Sequence, residues 1–149
     1  MTTTPEKRAN VLLVEDEPLI CDIVSEALIE QGFEVEAVSS ADDALELLLA
    51  GAPVDILFTD VNLPGIMDGE ALAKRARELR PNLPVMYTSG RKSVIQHLAP
   101  VDGSMFLPKP YNPYEIGRLL EYLVAAKRIT APRPWRDTPQ ANGCDSRRR

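Results

Sequence analysis

At 149 residues, with 44% hydrophobic and 26% charged side chains, the chain suffices for one domain with a real core and falls short of two ordinary ones. It has no run of about 18 apolar residues to cross a bilayer, and its polar opening, MTTTPEKRAN, lacks the apolar stretch of a secretory leader; membrane insertion is not expected and a cytoplasmic location is. The net charge of −5 is uneven: residues 1–127 hold 11 Lys or Arg against 20 Asp or Glu, so the body is not expected to bind nucleic acid directly.

From residue 10 to about 127, short β-like runs alternate with helix-like segments, the pattern of an α/β domain on a parallel sheet. The first run, NVLLVE (10–15), is almost wholly apolar, as a strand covered on both faces should be. Helical periodicity follows, opened by Glu17 and Pro18, where the acid meets the positive end of the helix dipole, with Leu19, Ile20, Ile23, Val24, Ala27 and Leu28 on one face and Gly32 as the stop. EVEAV (34–38) is the second strand. The second helix opens at Ser39 or Ser40, carries Asp42 and Asp43 in its first turn and ends at Gly51. VDILFT (54–59) is the third strand, and a helix from about Glu70 to Arg80 gathers Lys74, Arg75, Arg77 and Arg80 towards its C-terminus, where cations suit the dipole. VMYTS (85–89) leads into a short, weakly patterned helix around 92–98. MFL (105–107) is the fifth strand. The last helix opens with Asn112, Pro113 and Glu115 as cap, N1 and N3, then buries Ile116, Leu119, Leu120, Leu123 and Val124.

Residues 1–7 read as an N-terminal tail and 8–127 as the single domain. After Lys127 the chain turns to RITAPRPWRDTPQANGCDSRRR, with three prolines, six Arg, two Asp and no sustained periodicity, and reads as a flexible tail with no second domain. Cys21 and Cys144 match no metal or redox spacing and are expected as reduced thiols.

In an open parallel sheet, ligands bind beyond the carboxyl ends of the strands. There the sequence places Glu15 and Asp16 after strand one, Asp60 after strand three, Thr88, Ser89 and Gly90 at the end of strand four, and Lys109 just past strand five. Each alone has an ordinary role, as a helix cap or a solvated charge; together they form a site. The carboxylates favour a hard divalent cation, with Asp16 and Asp60 as oxygen ligands of Mg²⁺ and Glu15 orienting a coordinated water. No histidine or cysteine stands at these strand ends, which disfavours zinc. Lys109 supplies a point charge for a phosphoryl oxygen, Ser89 a hydroxyl donor, and Gly90 room for a tetrahedral group.

With these residues placed, the chain resembles the receiver domain of two-component response regulators over roughly residues 8–127. The marks are the acidic pair Glu15-Asp16, Asp60 in TDVNLPG, the hydroxyl at Ser89 and the pair Lys109-Pro110. The resemblance implies a doubly wound, flavodoxin-like α/β fold with five parallel strands in the order 2-1-3-4-5 and five flanking helices. It implies Mg²⁺-dependent transfer of a phosphoryl group onto Asp60 from a partner histidine kinase, a phosphotransfer protein or a small phosphodonor. Asp16, Asp60 and the backbone carbonyl of Asn62 would hold the metal, Glu15 would act through water, and Lys109 would pair with the phosphoryl group. The chain would then be no enzyme in the usual sense, catalysing only its own phosphorylation and dephosphorylation. As a switch, it would draw the hydroxyl residue towards the phosphate while Phe106, the strand-five aromatic, turns inward; a plain core role for Phe106 stands beside that reading.

The implied output is protein binding through the face of the fourth helix, fifth strand and fifth helix, with Arg91, Lys92, Gln96 and His97 exposed. A phosphate relay or sink and a phosphorylation-independent adaptor are the alternatives. A haloacid-dehalogenase-type hydrolase would want a second carboxylate where Asn62 stands. Three local departures go with the resemblance. Thr88 adjoins Ser89 as a rival hydroxyl, although Ser89 has the family's spacing from Pro84. The loop PGIMDG is one residue longer than the common form, and Pro100 and a shortened segment imply a short fourth helix. In keeping with the family, Lys109-Pro110 is expected to be cis.

Overall fold

The predicted runs become the strands of one parallel sheet, and the continuous apolar ones, buried on both faces, need a helix on either side. In the computed structural model these are β1 (Asn10–Val14), β2 (Glu34–Val38), β3 (Ile56–Asp60), β4 (Val85–Ser89) and β5 (Met105–Pro108), in the order β2-β1-β3-β4-β5. Between and after them run α1 (Pro18–Glu30), α2 (Ala41–Leu49), α3 (Gly69–Leu79), α4 (Val94–His97) and α5 (Pro113–Thr130). The structure describes residues 8–130 apart from Lys92, without side chains for 127–130. The readings made of residues 1–7, Lys92 and 131–149, Cys144 among them, lie outside the described residues.

The architecture is the doubly wound, flavodoxin-like α/β fold that the sequence implied. β3 and β4, central in the sheet, are buried at every position, whereas β2 at one edge and β5 at the other are half-exposed. Successive strand residues feed opposite layers. Val11, Leu13, Ile56, Phe58 and Met86 pack with α1 and α5, and Leu12, Val14, Leu57, Val85 and Tyr87 pack with α2 and α3. Truncating a fully buried Leu such as Leu57 to Ala would cost about 2–5 kcal/mol.

Local chemistry sets most helix ends. The Ser40 hydroxyl accepts from the Asp43 amide at 3.1 Å, the Asp68 carboxylate from Ala71 at 2.9 Å, and the Asn112 side chain from Tyr114 at 2.9 Å. Gly32 and Gly51 close α1 and α2 with φ of 99° and 84°, where the residue after each glycine bonds back to Leu28 and Leu47. Several boundaries differ from the sequence reading: β1 stops one residue earlier, at Val14, and β5 runs one residue further, to Pro108. β3 begins two residues later and includes Asp60; α4 shrinks to four residues with none buried; α5 continues to Thr130, three residues past the expected domain end. The Lys109-Pro110 peptide is cis, as expected.

Candidate functional site

Parallel strands all end on the same side, so the C-terminal residues of β1, β3, β4 and β5 share one edge. Asp60 is the last residue of β3, and two donors fix its carboxylate: the Asn62 amide at 3.1 Å from Oδ1 and Lys109 Nζ at 2.9 Å from Oδ2. Lys109 Nζ also lies 3.0 Å from Glu15 Oε1 and 3.6 Å from Glu17 Oε1. The Glu15 and Asp60 side chains are 2% and 7% exposed, and that of Glu17 is 61% exposed. One ammonium therefore bridges two buried carboxylates and touches a third at the surface.

Lys109 and Glu15 respond differently to this shared contact. Burial disfavours the Lys109 charge, but hydrogen bonds to Asp60 and Glu15 override it and raise the Lys109 pKa. Burial likewise pushes the Glu15 carboxyl above its ordinary range; bonds from Lys109 and the Glu17 amide oppose the rise, and the Asp60 charge adds to it. The asymmetry is physical, because the lysine has several anions to serve while Glu15 must share one cation.

Glu15, the exposed Asp16 and Asp60 each offer an oxygen, and these three atoms lie within 4.8 Å of one another. The set is all oxygen and carries surplus negative charge, the donor chemistry of Mg²⁺ rather than of a soft or nitrogen-seeking metal. The residues present thus fit a hard divalent ion.

Ser89, the last residue of β4 and 2% exposed, donates its hydroxyl to the Asn62 side-chain oxygen at 2.8 Å and accepts from the Arg91 amide at 3.0 Å. Thr88, the rival hydroxyl, is equally buried, yet its Oγ1 has no hydrogen-bond partner among the described residues. It stands opposite Asp60 in the β3–β4 register. Phe106 is half-buried against the α2/α3 layer and stands opposite Tyr87 across the β4–β5 ladder.

Three contributors escaped the sequence reading. Gly69 starts α3 so close to the Asp60 backbone that a Cβ would run into the Asp60 carbonyl oxygen and lie 2.9 Å from Val61 Cα. Its sequence signal is a poor helix former in the first turn, directly after the capping Asp68. Tyr111 packs its ring on Phe58 at 6.1 Å between centroids; burial, then the nearby Glu15 charge, push its phenol up to about 12. Glu17, assigned from sequence to the helix dipole, is the N-cap residue of α1 but makes no side-chain capping bond and leans towards Lys109. That pairing spans 92 positions, too distant for any local pattern to announce.

The comparisons agree with this geometry. Residues 11–121 match the family model of the response regulator receiver domain. The transcriptional regulatory protein TcrA of Mycobacterium tuberculosis is 35% identical over 126 residues, which cover 83% of this chain and 48% of that protein. The sensor kinase CckA of Brucella abortus is 36% identical over 107 residues, covering 70% of this chain and 11% of the kinase. The chain therefore spans about half the length, or less, of these curated relatives. Among solved structures, a response regulator receiver protein from Sinorhizobium medicae superposes with a TM-score of 0.75 at 33% identity, covering 80% of this chain and 96% of that one.

Proposed function

The chain belongs to the response regulator receiver domain family, and on that premise we propose that it is a phosphorylation switch whose acceptor is Asp60. The observation that carries the reading is the convergence of Glu15, Asp16, Asp60 and Lys109 at one strand edge, with Asp60 held at both oxygens. A carboxylate oxygen of Asp60 attacks phosphorus, and the P–N bond of a phosphohistidine, or the P–O bond of acetyl phosphate, breaks with its electron pair leaving on the donor. The product is an acyl phosphate. Attack by water on that phosphorus later returns the carboxylate and inorganic phosphate, so the chain acts on itself alone.

Asp16, Asp60 and the Asn62 carbonyl would hold Mg²⁺, with Glu15 acting through water, and the ion would supply charge neutralisation and alignment of the phosphoryl oxygens. Lys109 pairs with a phosphoryl oxygen from the other side. The Asn62 amide and Lys109 hold the Asp60 carboxylate in one orientation, a positioning contribution. The added charge of about −1.5 to −2 attracts the Ser89 hydroxyl away from Asn62, and Phe106 follows into the space released. The donor is a histidine kinase or phosphotransfer protein in the cytoplasm, and the output is a protein bound at the α4–β5–α5 face. Arg91, Gln96 and His97 are exposed there.

Intact mass after incubation with Mg²⁺ and acetyl phosphate tests the reading. One phosphoryl group should appear in the wild type and be absent in Asp60→Asn and without the metal. A wild type that gains no phosphoryl group, or an Asp60→Asn variant that gains one equally, would sink it.

A further inference from the structure

α4 is too slight to set the position of the face it belongs to: it has four residues, no side-chain cap and no buried side chain. The segment joining it to β5, residues 98–104, is held by side chains from β4 and α3. Tyr87 of β4, fully buried, accepts the Val101 N–H on its hydroxyl at 3.0 Å. Arg77, in the last turn of α3, donates Nε to the Leu83 carbonyl at 2.6 Å and Nη2 to the Asp102 carbonyl at 2.7 Å. Ser104 closes the segment on itself, its hydroxyl donating to the Val101 carbonyl at 2.7 Å. Tyr87 lies two residues before Ser89 on the same face of β4.

We propose that Tyr87 and Arg77 are positioning residues that hold segment 98–104 in its resting place, and that Tyr87 transmits the movement of Ser89 to that segment. The inference rests on Asp60 phosphorylation and Ser89 displacement as read above. Its physical basis is leverage through a packed strand. The Tyr87 ring is enclosed by core, so it follows any shift at the end of β4 instead of absorbing it. Its hydroxyl is out of reach of water, so the Val101 bond is either kept, dragging the segment, or broken at a measurable cost. Arg77 grips two carbonyls with a planar fork and resists that drag, which makes Val101 the point that yields. The route is separate from Phe106, which needs a ring rotation.

The test is amide hydrogen exchange and chemical shift on ¹⁵N-labelled protein, resting and with Mg²⁺ and beryllofluoride. In the wild type, activation should move the Val101 and Asp102 amides and speed Val101 exchange roughly fivefold, the worth of one net hydrogen bond. Tyr87→Phe keeps the ring in the core. It should show that faster Val101 exchange already at rest, lose most of the activation-dependent change in 98–104, and keep the responses at Ser89 and Phe106. Arg77→Lys should loosen Asp102 as well. Unchanged Val101 in an activated wild type whose Ser89 and Phe106 respond would overturn the proposal, as would a Tyr87→Phe variant with the full 98–104 response. A wild type that takes up no beryllofluoride at Asp60 would instead bring down the reading of Asp60 itself, and this proposal with it.

Discussion

Lys109→Ala removes the only cation among the described residues that touches both Glu15 and Asp60. At an effective dielectric near 20, a unit pair about 3 Å apart gains on the order of 5 kcal/mol before desolvation is counted. The Glu17 contact adds little, since that side chain is largely solvated. Leaving two buried carboxylates without their partner should cost about 3–5 kcal/mol net, or roughly 10–20 °C in Tm for a chain of this size. Urea and thermal unfolding at neutral pH with a chelator would read this directly.

Two further signs follow from the same charges. Because the loss is uncompensated negative charge, Mg²⁺ should stabilise Lys109→Ala more than the wild type. The Glu15 pKa lies above its ordinary value of 4.5, so the stability contributed by its neutral form is present below that value and lost as pH rises through the folded one. In Lys109→Ala that loss should steepen, and the gap to the wild type should close in acid. A variant within about 0.5 kcal/mol of the wild type in chelator, or a Mg²⁺ response no larger than the wild type's, would refute the bridging role.

Gly69→Ala drives a Cβ into the Asp60 carbonyl and should cost about 2–3 kcal/mol by urea unfolding and slow phosphorylation of Asp60; unchanged stability would mean the α3 start can retreat freely. Thr88→Val deletes a buried hydroxyl that lacks a partner and should be neutral or stabilise by up to about 1 kcal/mol, with Asp60 phosphorylation intact; a clear loss of stability would show that the hydroxyl is bonded after all. The Tyr111 phenol, pushed up from 10.0 to about 12, contributes stability that is fully present below pH 10 and lost as pH climbs towards 12. Tyr111→Phe should flatten that alkaline loss in unfolding experiments, and a wild type whose tyrosines all titrate near 10 by phenolate absorbance would contradict it.

The sequence by itself determined the elements and much of the edge chemistry. NVLLV and ILFTD are strands because continuous apolar runs of that length need cover on both faces, and Ser40, Asn112, Gly32 and Gly51 mark helix ends through bonds made within a few residues. Glu15, Asp16, Asp60, Ser89 and Lys109 were legible because strand ends in a parallel sheet must meet, whatever the packing details. The tertiary structure alone decided which acid shares which cation. It turned Glu17 from its assigned helix-dipole role towards Lys109, and it left Thr88 unbonded while Ser89 reached Asn62. It also brought Gly69 against the Asp60 backbone and set Arg77 and Tyr87 to hold residues 98–104. Local periodicity registers the backbone bonds and burial of each segment, whereas these contacts arise only once separate βα units pack.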